Sequence, residues 1–119
     1  MSNNVVKTDY GYEVIWAEST DYQAKFIVFD KSGKTPIYMH KDKNKSWFIN
    51  NGNFRIRWID TADGKMYQQD SAEGVSFNVP ASMPVSLECL GSSGSVTEVG
   101  NSSSADDYYI IIPAEGIGD

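Results

Sequence analysis

The chain has 119 residues, 40% hydrophobic and 22% charged, with seven Tyr, five Phe and three Trp. That length makes one domain which buries roughly two thirds of its unfolded surface and leaves no room for a second. The net charge of −6 excludes nucleic acid as an expected partner, because affinity for phosphate backbones comes from Lys and Arg, and no apolar run is long enough for a membrane-spanning helix.

The opening MSNNVVKTDYGYEV has neither the basic start nor the apolar core of a signal peptide, so a cytoplasmic location is expected. From there the apolar residues recur at period two, and short β-branched and aromatic runs are separated by Gly, Asp, Asn and Ser. This pattern predicts an all-β sandwich or barrel with little room for helices. Strands are expected at Gly11–Ala17, Tyr22–Asp30, Thr35–His40, Ser46–Asn50 and Asn53–Asp60 in the first half. The last of these alternates most cleanly, with Phe54, Ile56 and Trp58 on one face and Arg55 and Arg57 on the other. Asn51-Gly52 has the composition of a tight type I′ hairpin turn, and Asp63-Gly64 is a second such signal.

Further strands are expected at Gly64–Gln69, Gly74–Val79, Pro84–Leu90, Ser95–Val99 and Tyr108–Ile112. Pro80 and Pro84 bracket a corner that neither a helix nor a central strand would tolerate. Cys89, the only cysteine, has no partner for an internal disulfide; it alternates with Leu87 and Val85 and reads as a small core residue. The Gly- and Ser-rich stretch LGSSGSVTEVGNSSSADD predicts a hairpin loop followed by a mobile connection, and AEGIGD after Pro113 predicts a frayed tail.

Chemistry concentrates in PIYMHKDKNKSWF, which holds the only histidine. Tyr38, His40 and Asp42 share parity and point the same way if the strand runs on to Asp42. Lys41, Lys43 and Lys45 form a local basic cluster, interrupted by Asp42, that suits a small phosphate group rather than a duplex. Arg55 and Arg57 offer forked donors for a sugar phosphate, although alternating Arg on an antiparallel strand more often marks a solvated face.

Two segments are similar to the conserved motifs of the cupin barrels. Gly33-Lys-Thr-Pro-Ile-Tyr-Met-His40 followed by Trp47-Phe-Ile-Asn-Asn-Gly52 resembles the first, and Gly74-Val-Ser-Phe-Asn-Val-Pro80-Ala-Ser-Met-Pro84-Val85 the second. Within cupins the chain resembles the small barrel at the end of type II mannose-6-phosphate isomerase and mannose-1-phosphate guanylyltransferase, through Tyr10-Gly-Tyr-Glu-Val, Trp47 to Gly52 and Ser104-Ala-Asp-Asp-Tyr108. The resemblance spans nearly the whole chain and implies a single antiparallel barrel over about residues 10–113, forming a homodimer as small cupins often do.

Metal-binding cupins hold their ion with histidines and a glutamate. Carried over, His40 keeps one such position, while Tyr38 or Asp42 stands at its partner, Lys45 at the glutamate and Val85 at the last histidine. A transition metal needs three or four protein ligands, and a lysine ammonium opposes the ion, so neither metal nor other cofactor is expected. The resemblance then implies a carbohydrate or sugar-phosphate binding module. Tyr38, His40, Asp42, Lys45, Arg55, Arg57 and Tyr67 are its candidate contacts. A second reading follows metal-free cupins that epimerise nucleotide sugars: His40 acts as the base, Asp42 or another carboxylate orients it, and Tyr38 or Tyr67 is the acid. A structural assembly subunit is the third reading, and on balance a non-enzyme is favoured.

Overall fold

The computed structural model describes residues 4–118 and shows the expected all-β architecture, two antiparallel sheets around one core. In chain order the strands are β1 (Asn4–Lys7), β2 (Gly11–Glu18), β3 (Tyr22–Phe29), β4 (Gly33–Lys34), β5 (Ile37–Met39) and β6 (Lys45–Asn51), then β7 (Asn53–Ile59), β8 (Met66–Ala72), β9 (Ser76–Val79), β10 (Val85–Cys89), β11 (Gly94–Asn101) and β12 (Tyr109–Ile112). The first sheet runs β1-β2-β3-β11-β6-β9. The second runs β12-β5-β10-β7-β8, with β4 also on β10.

Period-two alternation explains the core. Ile27 and Phe29, Trp47 and Ile49, Phe54 and Ile56, and Val85, Leu87 and Cys89 come from alternate positions on β3, β6, β7 and β10, and all are buried in one cluster. Cys89 is thus the packing residue its spacing predicted.

Four expectations need correction. Asn51-Gly52 does not close a hairpin: β6 and β7 lie in different sheets, so the pair turns the chain from one sheet to the other. Gly52 sits there at φ 90°, where a Cβ would meet the Gly94 Cα and the Ser93 carbonyl at 2.9 Å. The expected strand over Thr35–His40 is broken at Thr35-Pro36. There the Thr35 hydroxyl accepts from the Leu87 amide at 3.1 Å and Pro36 has no amide to offer. Through Ile117 the tail does not fray, because Ala114–Gly116 forms a 3-10 turn, Ile117 is buried and its carbonyl accepts from Lys34 Nζ at 3.1 Å; Asp119 lies outside the described residues. Nor is the connection after β11 loose: the Asp107 carboxylate accepts from the amides of Lys41 and Asp42 at 2.7 and 3.0 Å. Asp63-Gly64, in contrast, lies in the β7–β8 hairpin as expected, with Gly64 at φ 70°. No helix among the described residues is long and apolar enough to cross a membrane.

Candidate functional site

The inner faces of β3, β6 and β11 are apolar toward one end of the barrel and charged toward the other. On β3, Lys25 shares the inward face of Ile27 and Phe29; on β6, Lys45 shares that of Trp47 and Ile49; on β11, Glu98 shares that of Val96. Register then places these charges side by side. Lys25 pairs directly with Glu98, Glu98 with Trp47, and Lys45 with Gly100. At Gly100 a Cβ would stand 2.9 Å from that of Lys45, so only glycine leaves room for the lysine stem there.

The result is a chain of alternating charges. Lys25 Nζ lies 3.0 Å from Glu13 and 3.6 Å from Glu98, and Glu98 lies 3.2 Å from Lys45 Nζ. Lys45 Nζ also donates to the Tyr38 hydroxyl at 2.9 Å, and Trp47 Nε1 donates to Glu98 at 2.9 Å. Burial opposes ionisation of Glu98, but Lys45, Lys25 and the indole donor outweigh it and hold the carboxyl well below its usual range. Burial likewise works against the Lys25 ammonium, and Glu98 and Glu13 overcome it, raising the group above its ordinary value. Burial, reinforced by Glu98, keeps Tyr38 protonated. Two positive and two negative charges cancel, and every member has a partner, which is what makes buried ions tolerable.

Beside this chain opens a cavity of about 400 Å³. Glu13, Gln23 and Lys25 come from β2 and β3, Tyr38 and His40 from β5 and its end, and Ser103, Ser104, Ala105, Asp107 and Tyr108 from the connection into β12. Its lining is chiefly polar. The Thr8 hydroxyl is buried there without a hydrogen-bond partner among the described residues. Lys43 reaches in and donates to the Gln23 side-chain carbonyl at 3.1 Å, and no carboxylate lies within ion-pair distance of it among the described residues. Burial lowers the affinity of that ammonium for its proton.

His40 is anchored through Nδ1, which donates to the Asp107 carbonyl. A carbonyl only accepts, so the neutral ring carries its proton on Nδ1 and keeps a lone pair on Nε2. Burial first, then the nearby lysines, lower its pKa against the opposing effect of that hydrogen bond. Tyr38 and Tyr108 flank the ring at centroid distances of 5.7 and 5.9 Å.

Tyr38, His40 and Lys45 come together; of the three residues that share parity, Tyr38 and His40 face the cavity and Asp42 does not. Val85, the residue at the fourth ligand position, pairs directly with Tyr38 and is fully buried. The other candidates lie elsewhere. Asp42 is exposed and contributes its backbone amide to Asp107 rather than a carboxylate to His40. Arg55 faces outward, forked onto Asp70 at 2.8 and 3.0 Å, and Arg57 is bound to Glu88 at 2.7 Å. Tyr67 stands on β8, exposed, with its hydroxyl on Asp63. Sequence reasoning missed Glu13, Lys25, Glu98, Thr8 and Asp107. For Lys25 and Glu98 a signal existed: a charge at the inward parity of an otherwise apolar strand.

These residues do not fit a transition metal. Among the described residues no three His, Cys, Asp or Glu side chains stand close enough to share an ion, and the lysine at the glutamate position already satisfies Glu98.

No protein-family model matches the chain, and no curated protein matches it. Solved structures do resemble it in fold. Oxalate decarboxylase from Bacillus subtilis superposes with a TM-score of 0.81 at 16% identity, over 92% of this chain and 30% of that one. The capsular polysaccharide assembling protein CapF from Staphylococcus aureus gives 0.82 at 15% identity, over 92% and 34%. Lactobacillus farciminis oxalate decarboxylase, as a formate complex, gives 0.79 at 17% identity, over 92% and 34%. All are cupin-fold proteins. The chain spans about a third of the length of these structures, and at such identities the likeness is one of fold alone.

Proposed function

We propose that this chain is a metal-independent binding module for a sugar phosphate, akin to the mannose-6-phosphate isomerase barrels in its ligand but not in its chemistry. The observation that carries this reading is Lys43, a pocket ammonium with no carboxylate within ion-pair distance among the described residues: Glu13 and Glu98 are paired with Lys25 and Lys45, and Asp107 accepts from the Lys41 and Asp42 amides. A phosphate gives Lys43 a direct ion-pair partner, and in a partly dry site that attraction is weakly screened. The unpartnered Thr8 hydroxyl and the Ser103, Ser104 and Tyr108 side chains on the same wall suit sugar hydroxyls. Calorimetric titration with mannose 6-phosphate in the presence of EDTA tests it. Saturable binding that Lys43→Met weakens at least tenfold is expected; no heat with any mannose phosphate overturns it.

A second reading is favoured by the His40 anchor. Nε2 of a neutral imidazole at a pocket wall is a competent base for proton abstraction next to a keto group. Tyr108, rather than Tyr67, then stands in the place of the acid. Deuterium exchange into a bound sugar phosphate that His40→Gln abolishes supports this reading; a substrate recovered without deuterium refutes it.

A further inference from the structure

Three ammonium groups converge on the charged end of the barrel, and they are not held alike. Lys25 lies 3.0 Å from Glu13 and Lys45 lies 3.2 Å from Glu98, so each is compensated by a carboxylate. Lys43, on the loop between β5 and β6 and only 8% exposed, donates instead to an amide, the Gln23 side-chain carbonyl at 3.1 Å. Gln23 in turn donates through Nε2 to the Glu18 carboxylate at 2.9 Å. Glu18 and Gln23 are direct cross-strand partners beside the β2–β3 hairpin, and Gln23 shares the cavity-facing side of Lys25.

An ammonium only donates and a carboxylate only accepts. The amide between them therefore has one orientation that satisfies both neighbours, with its NH2 toward Glu18 and its carbonyl toward Lys43. Turned over, it would set donor against donor and acceptor against acceptor. The base of Lys43 is fixed separately. Asn101, at the end of β11, accepts from the Asn44 amide at 2.7 Å and donates to the Asp42 carbonyl at 2.8 Å, so one side chain clasps the backbone on both sides of Lys43.

We infer that Gln23 and Glu18 are positioning residues of the anion site: Gln23 holds the Lys43 ammonium at the cavity without neutralising it, and Glu18 sets which end of the amide faces it. The inference rests on the reading of the cavity as a phosphate site. Its physical content is the difference between an amide and a carboxylate at one position. A carboxylate in place of Gln23 would pair with Lys43 as Glu13 pairs with Lys25, and a ligand would meet an ion pair instead of an available charge. A neutral carbonyl supplies the hydrogen bond that a buried ammonium needs and leaves its field uncancelled. Because the backbone and the ammonium are both held before a ligand arrives, little side-chain freedom is lost on binding.

Calorimetric titration with mannose 6-phosphate in EDTA, together with the nitrogen-15 resonance of the Lys43 ammonium in the free protein, tests the inference. Gln23→Glu keeps the side chain's shape and removes no cation, and is expected to weaken binding at least tenfold. Glu18→Lys offers the Gln23 carbonyl a donor and turns the amide over, so a loss of at least threefold is expected. That substitution also adds a positive charge beside the site, which by itself would tighten anion binding. Smaller losses in either variant, or tighter binding by Glu18→Lys, overturn the inference. Glu18 is exposed, so Glu18→Lys decides alone if Gln23→Glu alters the far-ultraviolet spectrum. The Lys43 resonance is expected to move in both variants and to titrate at higher pH in Gln23→Glu; a resonance unmoved by both overturns the inference without any ligand. A wild type that binds no mannose phosphate overturns the sugar-phosphate reading instead, and the free-protein resonance then decides whether Glu18 and Gln23 position Lys43.

Discussion

Replacing Glu98 by glutamine removes the charge that both buried lysines share while keeping the side chain's shape. Lys45, whose side chain is 2% exposed, then keeps only the Tyr38 hydroxyl and the faces of the Tyr38 and Trp47 rings and has no anionic partner, whereas Lys25 keeps Glu13. Stripping one partner from a buried ion pair costs about 3–5 kcal/mol. A chain of this length has a total stability of about 6–18 kcal/mol, so a substantial fraction is lost. In urea, with a slope of about 1–3 kcal/mol per molar, the midpoint falls by roughly 2 M. Trp47, which donates to Glu98, supplies the fluorescence signal. Adding Lys45→Met removes the stranded ammonium, and the double variant is expected to recover about 1.5 kcal/mol or more relative to Glu98→Gln alone. The pH dependence has a defined sign. The folded-state pKa of Glu98 is depressed, so its contribution is complete above the ordinary value of 4.5 and is lost as pH falls through the folded value; Glu98→Gln flattens that acid limb. A Glu98→Gln variant within about 1 kcal/mol of the parent, or a double variant no more stable than the single, would refute the charge-chain account.

Three other outcomes follow from the same geometry. His40 has a lowered pKa, so the unfolded chain takes up its proton first as pH falls below 6.5; stability should decline through that range in the parent and stay level in His40→Gln, measured as urea midpoint against pH. Gly100→Ala forces a Cβ to within 2.7 Å of the Asn44 carbonyl and 2.9 Å of the Lys45 Cβ, and should cost about 1–3 kcal/mol in chemical denaturation. Arg55→Ala and Tyr67→Phe, both on outward or distant positions, should leave the affinity for mannose 6-phosphate unchanged by calorimetry; a tenfold loss in either would relocate the site.

The fold was legible because alternation, proline corners and glycine turns are local signals. Phe54, Ile56 and Trp58 announced an inward face in eight residues, and Pro80 with Pro84 announced the corner between β9 and β10. Asn51-Gly52 misled because a positive-φ glycine serves a sheet-to-sheet turn as readily as a hairpin, and what distinguishes the two is the pairing of distant strands. The site was legible only where it lay within one strand, as with Tyr38 and His40. Glu98 and Lys45 are 53 positions apart and Asp107 is 67 from His40, so their meeting depends on register between β11, β6 and the connection into β12. Arg55 and Arg57 looked available in sequence because their acidic partners come from neighbouring strands, Asp70 on β8 and Glu88 on β10. The expected mobility of the Ser-rich connection failed for the same reason: composition predicts a loose loop, and two amides 65 and 66 residues away hold it.

The central claim is that the cavity beside Lys43 and His40 takes a phosphorylated sugar without a metal. Its most direct test is the nitrogen-15 spectrum of the His40 ring and the Lys43 ammonium during titration with mannose 6-phosphate in EDTA. The account predicts saturable shifts at both residues, with Nδ1 of His40 remaining the protonated nitrogen, and no shift at Arg55. Shifts that appear only after a divalent metal is added, or that centre on Arg55 and Arg57, would contradict it.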